Sequence, residues 1–153
     1  MSWWIAEAER TLTEDVPAPP DQVRDLYVDL DSLQVVHPLI VSVEELSRTD
    51  EADGYRQTYR VVDQLRMGPF NFRITYRAGW HVPVHGPVET EAHQSPSVRL
   101  LGTVTFDPGS GGTRVTERLR ISAPRPLVGY TAREAVKAHA AMFAGIRAHF
   151  AAA

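Results

Sequence analysis

The chain has 153 residues, 43% hydrophobic and 23% charged, a composition typical of one globular domain that we expect to span residues 1–153. Its net charge of −3 gives no basic field for nucleic acid, and the absence of cysteine excludes disulfides and thiolate metal sites. No apolar run approaches the roughly 20 residues that span a bilayer, and Met1 to Arg10 lack the pattern of a signal peptide. We therefore expect a cytoplasmic protein without a membrane span.

The first third of the chain is acidic and begins with a strand. Residues 1–50 carry eleven acidic and three basic side chains, a net charge of −8. Trp3 to Thr13 is predicted to form the first strand, with one of its two tryptophan rings packed and the other exposed. Val16 to Pro20 then turns the chain, because proline restricts itself and the residue before it.

Two short helices are predicted after these prolines. Apolar positions between Val23 and Leu33 recur at helical spacing. We expect Asp29 to Ser32 to interrupt this pattern. A second helix should then run from Leu33 to Ile40, with His37-Pro38 inside it or at its end.

The middle of the chain has the period-two pattern of strands. Polar or proline-containing turns separate these strands, and Asp107 to Gly112 is expected to be a hairpin loop. Consecutive strands joined by short turns indicate an antiparallel meander. About six strands are predicted, over Val41–Leu46, Tyr55–Leu65, Phe70–Arg77, Val88–Gln94, Val98–Phe106 and Thr113–Ile121.

The last segment, from about Pro126 to Phe150, is predicted to form one long helix. Its apolar residues recur at the i, i+3, i+4, i+7 spacing of one broad face. A single amphipathic helix after a run of strands favours a sheet wrapped around that helix, with a cavity between them. The face consists of Val128, Ala132, Ala135, Val136, His139, Met142, Phe143, Ile146 and Phe150.

The whole chain resembles the helix-grip superfamily, which includes START domains, birch-pollen-type (Bet v 1-like) allergens and polyketide cyclases. The resemblance implies an α+β fold in which a seven-stranded antiparallel sheet grips the C-terminal helix and two small helices close one end. It rests on Val16-Pro17-Ala18-Pro19-Pro20-Asp21-Gln22-Val23, on Leu30-Asp31-Ser32-Leu33 with His37-Pro38-Leu39, and on Gly111-Gly112-Thr113-Arg114-Val115-Thr116-Glu117.

Three polar residues are candidates for chemistry in the expected cavity. Alternation in the last strand points the Glu117 carboxylate toward the helix, where it must be paired, hydrogen-bonded or protonated. His139 lies on the apolar face of the helix, and its imidazole could exchange a proton near neutral pH. Tyr76 completes the inward face of its strand. Each could instead be an interior residue with a structural role only.

Two features of the proteins that this chain resembles are different in its own sequence, and the first of them argues against cyclase activity. In relatives that cyclise aromatic polyketides, an inward arginine on the corresponding strand helps to bind substrate. Here alternation places Tyr76 inward and Arg77 outward, unless a β-bulge swaps the two faces. The glycine-rich loop of the allergens is also absent, since Arg48 to Gly54 contains one glycine.

No cofactor or metal is predicted. His81 and His85 are four residues apart with His93 further on, but Pro83 separates the first two in a turn instead of on a helix face.

The principal hypothesis is binding of a hydrophobic small molecule, such as a lipid, a polyketide or an aromatic metabolite. The alternative is a polyketide cyclase, aromatase or dehydratase that uses Glu117, His139 and Tyr76 for proton transfer. A third hypothesis is a protein-interaction module whose contact surface is the acidic first third; a homodimer is possible but not indicated. The predicted ligand-binding residues are Tyr55, Gln57, Tyr59, Phe70, Phe72, Ile74, Tyr76, Glu117, His139, Met142, Phe143 and Ile146.

Overall fold

The computed structural model describes residues 3–36, 39–67, 69–94 and 97–152. The described residues form seven strands and three helices. The expected helix end at His37-Pro38 and the turn at Gly68 lie outside the described residues. The elements in chain order are β1 (Ile5–Val16), α1 (Pro20–Val28), α2 (Leu30–Val36), β2 (Ile40–Glu51), β3 (Gly54–Met67), β4 (Phe70–Pro83), β5 (Val88–Gln94), β6 (Val98–Gly109), β7 (Gly112–Pro124) and α3 (Arg125–Ala151).

The strands form one antiparallel sheet in the order β1-β7-β6-β5-β4-β3-β2. This arrangement, with α1 and α2 after the first strand and α3 at the end, is the helix-grip fold of the START and Bet v 1-like proteins. We call the end of the sheet where β1 begins, β7 ends and β3 meets β4 the upper end. The opposite end, where β1 ends and where β2 meets β3 and β6 meets β7, is the lower end.

The second helix begins earlier than the sequence pattern predicted. The Asp29 carboxylate accepts hydrogen bonds from the backbone N–H groups of Asp31 and Ser32 and from the Ser32 hydroxyl. A carboxylate in this position satisfies the free N–H groups of a first helical turn. The interruption is therefore Asp29 alone, and the prediction of a helix over Leu33 to Ile40 was wrong, since α2 spans Leu30–Val36.

Several strands are longer than predicted, because backbone pairing continues past the clear alternation. The first strand spans Ile5–Val16 instead of Trp3 to Thr13. The predicted loop Asp107 to Gly112 is mostly strand, since Gly109 pairs with Gly112 and only two residues form the turn. Gly112 has a φ of 154°, and a Cβ there would lie 2.1 Å from the carbonyl oxygen of Val16. This close approach requires glycine.

The lower half of the space between sheet and helices is a packed apolar core. Tyr27 of α1 is at its centre, with ring centroids 5.6 Å from Phe106, 6.2 Å from Phe143 and 6.3 Å from Trp80. α3 packs against β1 and β7 and also contacts α2. None of the described helices combines the length and the apolar character that crossing a bilayer requires.

Phe143→Ala is expected to reduce the free energy of unfolding by about 3–5 kcal/mol, because it removes a buried aromatic ring that stacks on Tyr27. Urea denaturation measures this loss. The matched control is Phe72→Ala, which removes the same ring from a side chain that is 47% exposed and should cost less than about 1 kcal/mol. Equal losses for the two variants would contradict the division of the inner face into a packed and an open half.

Candidate groove and its buried glutamate–histidine pair

The upper half of the inner sheet face is open over β3 and β4, whereas on β7 it is packed against α3 through Leu119 and Ile121. β5 pairs with β4 only over Arg77 to His81, so the first half of β4 is bonded to β3 alone and projects past β5. On this projection Phe70 and Phe72 are 65% and 47% exposed, and their rings lie 6.4 Å apart. Ile74, next on the same face, belongs to neither core cluster. A groove therefore lies between the β3–β4 projection and α3.

Glu117 lies at the inner end of this groove and is fully buried. Strand alternation turns it inward together with Val115 and Leu119. Gly102 on the neighbouring strand leaves the space that the carboxylate occupies, since a Cβ there would lie 3.2 Å from Glu117 Oε2. That oxygen has no hydrogen-bond partner among the described residues. An anionic group in this position has to be compensated by its other oxygen.

His139 provides that compensation. Its Nδ1 lies 2.6 Å from Glu117 Oε1. Because the carboxylate accepts this bond, Nδ1 carries the hydrogen and Nε2 is the basic nitrogen of the neutral ring. Burial lowers the pKa of His139, but the charges of Glu117 and Asp63 outweigh this and raise it above its ordinary value. With its side chain 23% exposed, His139 links the buried carboxylate to the groove.

A second polar pair, Asp63 and Tyr76, lies on β3 and β4 in the same groove. The Tyr76 hydroxyl donates to Asp63 Oδ1 at 3.4 Å. Burial raises the pKa of Asp63 to about 6, although the Tyr76 hydrogen bond and the His139 charge oppose the increase. Burial and then Asp63 raise the pKa of Tyr76, so its phenol stays protonated. Two carboxylates, one imidazole and one phenol thus interact within one partly apolar groove.

Sequence analysis did not identify Asp63, although a signal was present. The inward series Gln57, Tyr59, Val61 continues by alternation to Asp63.

The pairing register of β3 and β4 determines whether Tyr76 or Arg77 faces inward. β3 and β4 pair without a bulge from Gly54–Pro83 to Met67–Phe70, so Tyr76 faces inward and Arg77 is exposed.

The predicted ligand-binding residues fall into three groups. Glu117, His139 and Tyr76 contribute the polar part of the groove, and its open part holds Phe70, Phe72 and Ile74. Tyr55 is half-buried at the margin of the packed core, with its ring 3.9 Å from the Arg48 guanidinium carbon. The remaining residues, Gln57, Tyr59, Met142, Phe143 and Ile146, are buried in the packed lower half.

The three histidines considered as metal ligands are not brought together. His81 lies 3.5 Å from Glu89, and His93 lies 2.5 Å from Glu91. His85 is in the exposed turn between β4 and β5. Ligand atoms of His81, Glu51 and Asp53 do lie within 4.8 Å of one another. Glu51, however, already forms an ion pair with Arg56, and Asp53 is largely open to solvent.

Two depressions lie elsewhere on the molecule. One, of about 640 Å3, is on the outer sheet face and is lined by β1 and by β3 to β7, with acidic and basic side chains interspersed. The other, of about 410 Å3, is at the lower end between α1, the β4–β5 turn and β6. Neither contains Glu117, His139 or Tyr76.

Known structures share this fold. TTHA0849 from Thermus thermophilus is 23% identical, with 97% of each chain covered and a TM-score of 0.69. The di-domain ARO/CYC BexL from the BE-7585A biosynthetic pathway is 15% identical, with a TM-score of 0.74 over 94% of this chain and 50% of BexL. A START superfamily protein from Mycobacterium smegmatis is 15% identical, with a TM-score of 0.66 over 94% of this chain and 97% of that one.

Sequence comparison with curated proteins gives no match. A match to a protein family, in contrast, extends over residues 7–151, from within β1 to the end of α3, and so includes both polar pairs of the groove. The chain therefore belongs to the family described as polyketide cyclase / dehydrase and lipid transport.

Proposed function

We propose that this protein binds a hydrophobic small molecule in the groove between the β3–β4 projection and α3. The observation that carries the proposal is the exposure of Phe70 and Phe72 on the inner sheet face, beside the half-buried Ile74. Side chains on the inner face of a wrapped sheet normally pack against its helix. Exposed apolar surface in a concave site favours an apolar occupant.

The polar groups define the chemistry of the ligand at its inner end. His139 Nε2 accepts a hydrogen bond when the ring is neutral and donates one when it is charged. The Asp63 carboxylate accepts, and the Tyr76 hydroxyl is already directed at it. A flat or extended apolar molecule with a hydroxyl or carbonyl group at one end matches this arrangement. Lipids, polyketides and aromatic metabolites all include such molecules.

Ile74→Trp tests the proposal, because a larger side chain in the middle of the groove should exclude a ligand. We expect 1-anilinonaphthalene-8-sulfonate to bind the wild type saturably and Ile74→Trp about tenfold more weakly. Val84→Trp, at an exposed position in the lower turn, is the control and should bind like the wild type. Mass spectrometry of organic extracts of the purified protein identifies a natural ligand. Equal affinity in all three proteins would place the probe outside the groove and contradict the proposal.

The Glu117–His139 pair favours a second candidate function, cyclisation of a polyketide-like substrate. The pair has the geometry of a base oriented by a buried carboxylate. His139 Nε2 would remove a proton from a carbon between two carbonyl groups, and the carbanion would add to a distant carbonyl carbon of the same chain. The resulting alkoxide would take the proton back from the imidazolium. The apolar groove would hold the substrate folded.

Glu117→Gln separates the two functions, because it retains the size of the side chain and removes its charge. NMR titration should show a lower pKa for His139 than in the wild type. The raised pKa of His139 in the wild type contributes to the stability of the fold. This contribution is fully present below pH 6.5, the ordinary pKa of histidine, and it is lost as pH rises through the pKa of His139 in the folded state. The variant should therefore lose more stability at pH 6 than at pH 9.

The control for this substitution is Glu134→Gln, at an exposed position on α3. In a cyclase, Glu117→Gln should lower turnover of a polyketide-like substrate about tenfold or more with little change in KM. In a binder it should change only the affinity for ligands with a polar end. A His139 pKa that is the same in both variants would contradict the role of Glu117.

Asp63→Asn is expected to stabilise the protein at neutral pH. The folded Asp63 has a pKa of about 6 instead of 3.8, so the folded state holds its proton more tightly and stability falls as pH rises between these values. The upper limit is about 3 kcal/mol, which solvent in the groove reduces to about 1–2 kcal/mol. Thermal unfolding at pH 8 and pH 3.5 measures this, with the exposed Asp107→Asn as control. A gain that persists at pH 3.5 would rule out this cause.

A further inference from the structure

The upper end of the molecule carries a concentration of exposed apolar side chains on four separate elements. Trp3 and Trp4, just before β1, are 80% and 43% exposed, so the expectation that one ring is packed was wrong. Leu127 and Tyr130 in the first turns of α3 are 45% and 43% exposed. With Val41 at the start of β2 and the two phenylalanines of β4, they surround the opening of the groove. Among the described residues, the other large exposed apolar side chain, Val84, is at the lower end.

The fold places these residues together although they are distant in sequence. The backbone carbonyl of Trp4 accepts a hydrogen bond from Arg125 N at 2.7 Å, and the Arg125 side chain donates to the carbonyl of Trp3. The start of β1 is thus attached to the start of α3. The pairing of Ile40 with Asp63 brings the start of β2 to the same end.

The charges around this opening are mostly basic. The described stretches that form the upper end contain four exposed arginines, Arg73, Arg99, Arg125 and Arg133, against the exposed Glu7 and the half-buried Asp63. This is unexpected for a chain whose net charge is −3. Arg99 is ion-paired with Glu91. The stretches are residues 3–7, 39–43, 61–64, 69–76, 97–100 and 122–133.

The acidic residues are concentrated at the other end. Exposed aspartates lie near the end of β1, in the first turn of α1, at the β2–β3 turn and near the β6–β7 turn: Asp15, Asp21, Asp50, Asp53 and Asp107. Asp15 and Asp50 form ion pairs with Arg114 and Arg48. The molecule is therefore electrically polar along the direction of its strands. A negatively charged surface would attract the upper end and repel the lower end.

We propose that the upper end docks on an anionic lipid surface, with the opening of the groove facing the bilayer. Tryptophan and tyrosine rings favour the boundary between lipid and water, and arginines near an anionic leaflet add favourable electrostatic energy. The apolar side chains project from four elements and form a rim around an opening, not a continuous flat patch. A bilayer accommodates such projections without shape complementarity, whereas a protein partner needs a matching surface.

The test is co-sedimentation of the intact chain with vesicles of phosphatidylcholine alone or mixed with phosphatidylglycerol. We expect binding to the mixed vesicles and much weaker binding to neutral ones, decreasing with added salt. Trp3→Ser combined with Phe70→Ser should abolish it, and Arg73→Gln should weaken it about fivefold. Val84→Ser removes an equally exposed apolar side chain from the lower end and should bind like the wild type.

Tryptophan fluorescence provides a second measurement. Trp80 is buried, so a blue shift on addition of mixed vesicles would come from Trp3 and Trp4. Absence of binding to mixed vesicles, or equal loss in the Val84→Ser control, would overturn the proposal. A concentration-dependent dimer of the wild type that Trp3→Ser dissolves, without vesicle binding, would assign the surface to a second copy of the chain instead. Ile74→Trp should retain vesicle binding, so docking and ligand binding can fail separately.

Discussion

The architecture follows from a difference in width between the sheet and the helix that it grips. Seven strands at about 4.8 Å spacing make a sheet roughly 29 Å wide, whereas a helix with its side chains is about 10–12 Å across. α3 contacts β1 and β7, and the rest of the inner face needs another cover. α1 and α2 provide one in the lower half, where Tyr27 inserts among Trp80, Phe106 and Phe143. In the upper half nothing comparable covers β3 and β4 among the described residues, and the groove is the result.

The stability of the fold does not explain why polar groups occupy this groove. Burying two charged groups costs hydration free energy, and the attraction between them seldom exceeds this cost. A buried pair of apolar side chains of similar size is often as stable. Glu117 nevertheless occupies a fully buried position, and Gly102 leaves space for it on the next strand. Asp63 is half-buried with a raised pKa, which costs stability at neutral pH. Buried groups with shifted pKa values that converge on one groove are typical of sites for binding or chemistry.

Sequence patterns predicted the fold and the faces of the strands, but not the contacts between elements. The side-chain period of two placed Glu117 and Tyr76 on the inner face, because that property is local to one strand. The 2.6 Å contact between Glu117 and His139 depends on the position of α3 along β7, which no local pattern specifies. The exposure of Phe70 depends on where β5 ends, a property of a different segment. Asp63 could have been found by extending an alternation already recognised.

The acidic first third of the chain does not form one surface in the folded protein. Read along the chain, it suggested one contact surface for a protein partner. The fold instead places Asp15 and Asp21 at the lower end, next to Asp53 and Asp107 from later segments, while Trp3 and Trp4 from the same third lie at the upper end. The charge is therefore divided by strand direction instead of sequence position. The half of the molecule with the filled core carries more of the acidic groups, and the half with the open groove carries the apolar rim and four exposed arginines. A charged surface that approaches the molecule, whether positive or negative, therefore interacts differently with the open half than with the closed half.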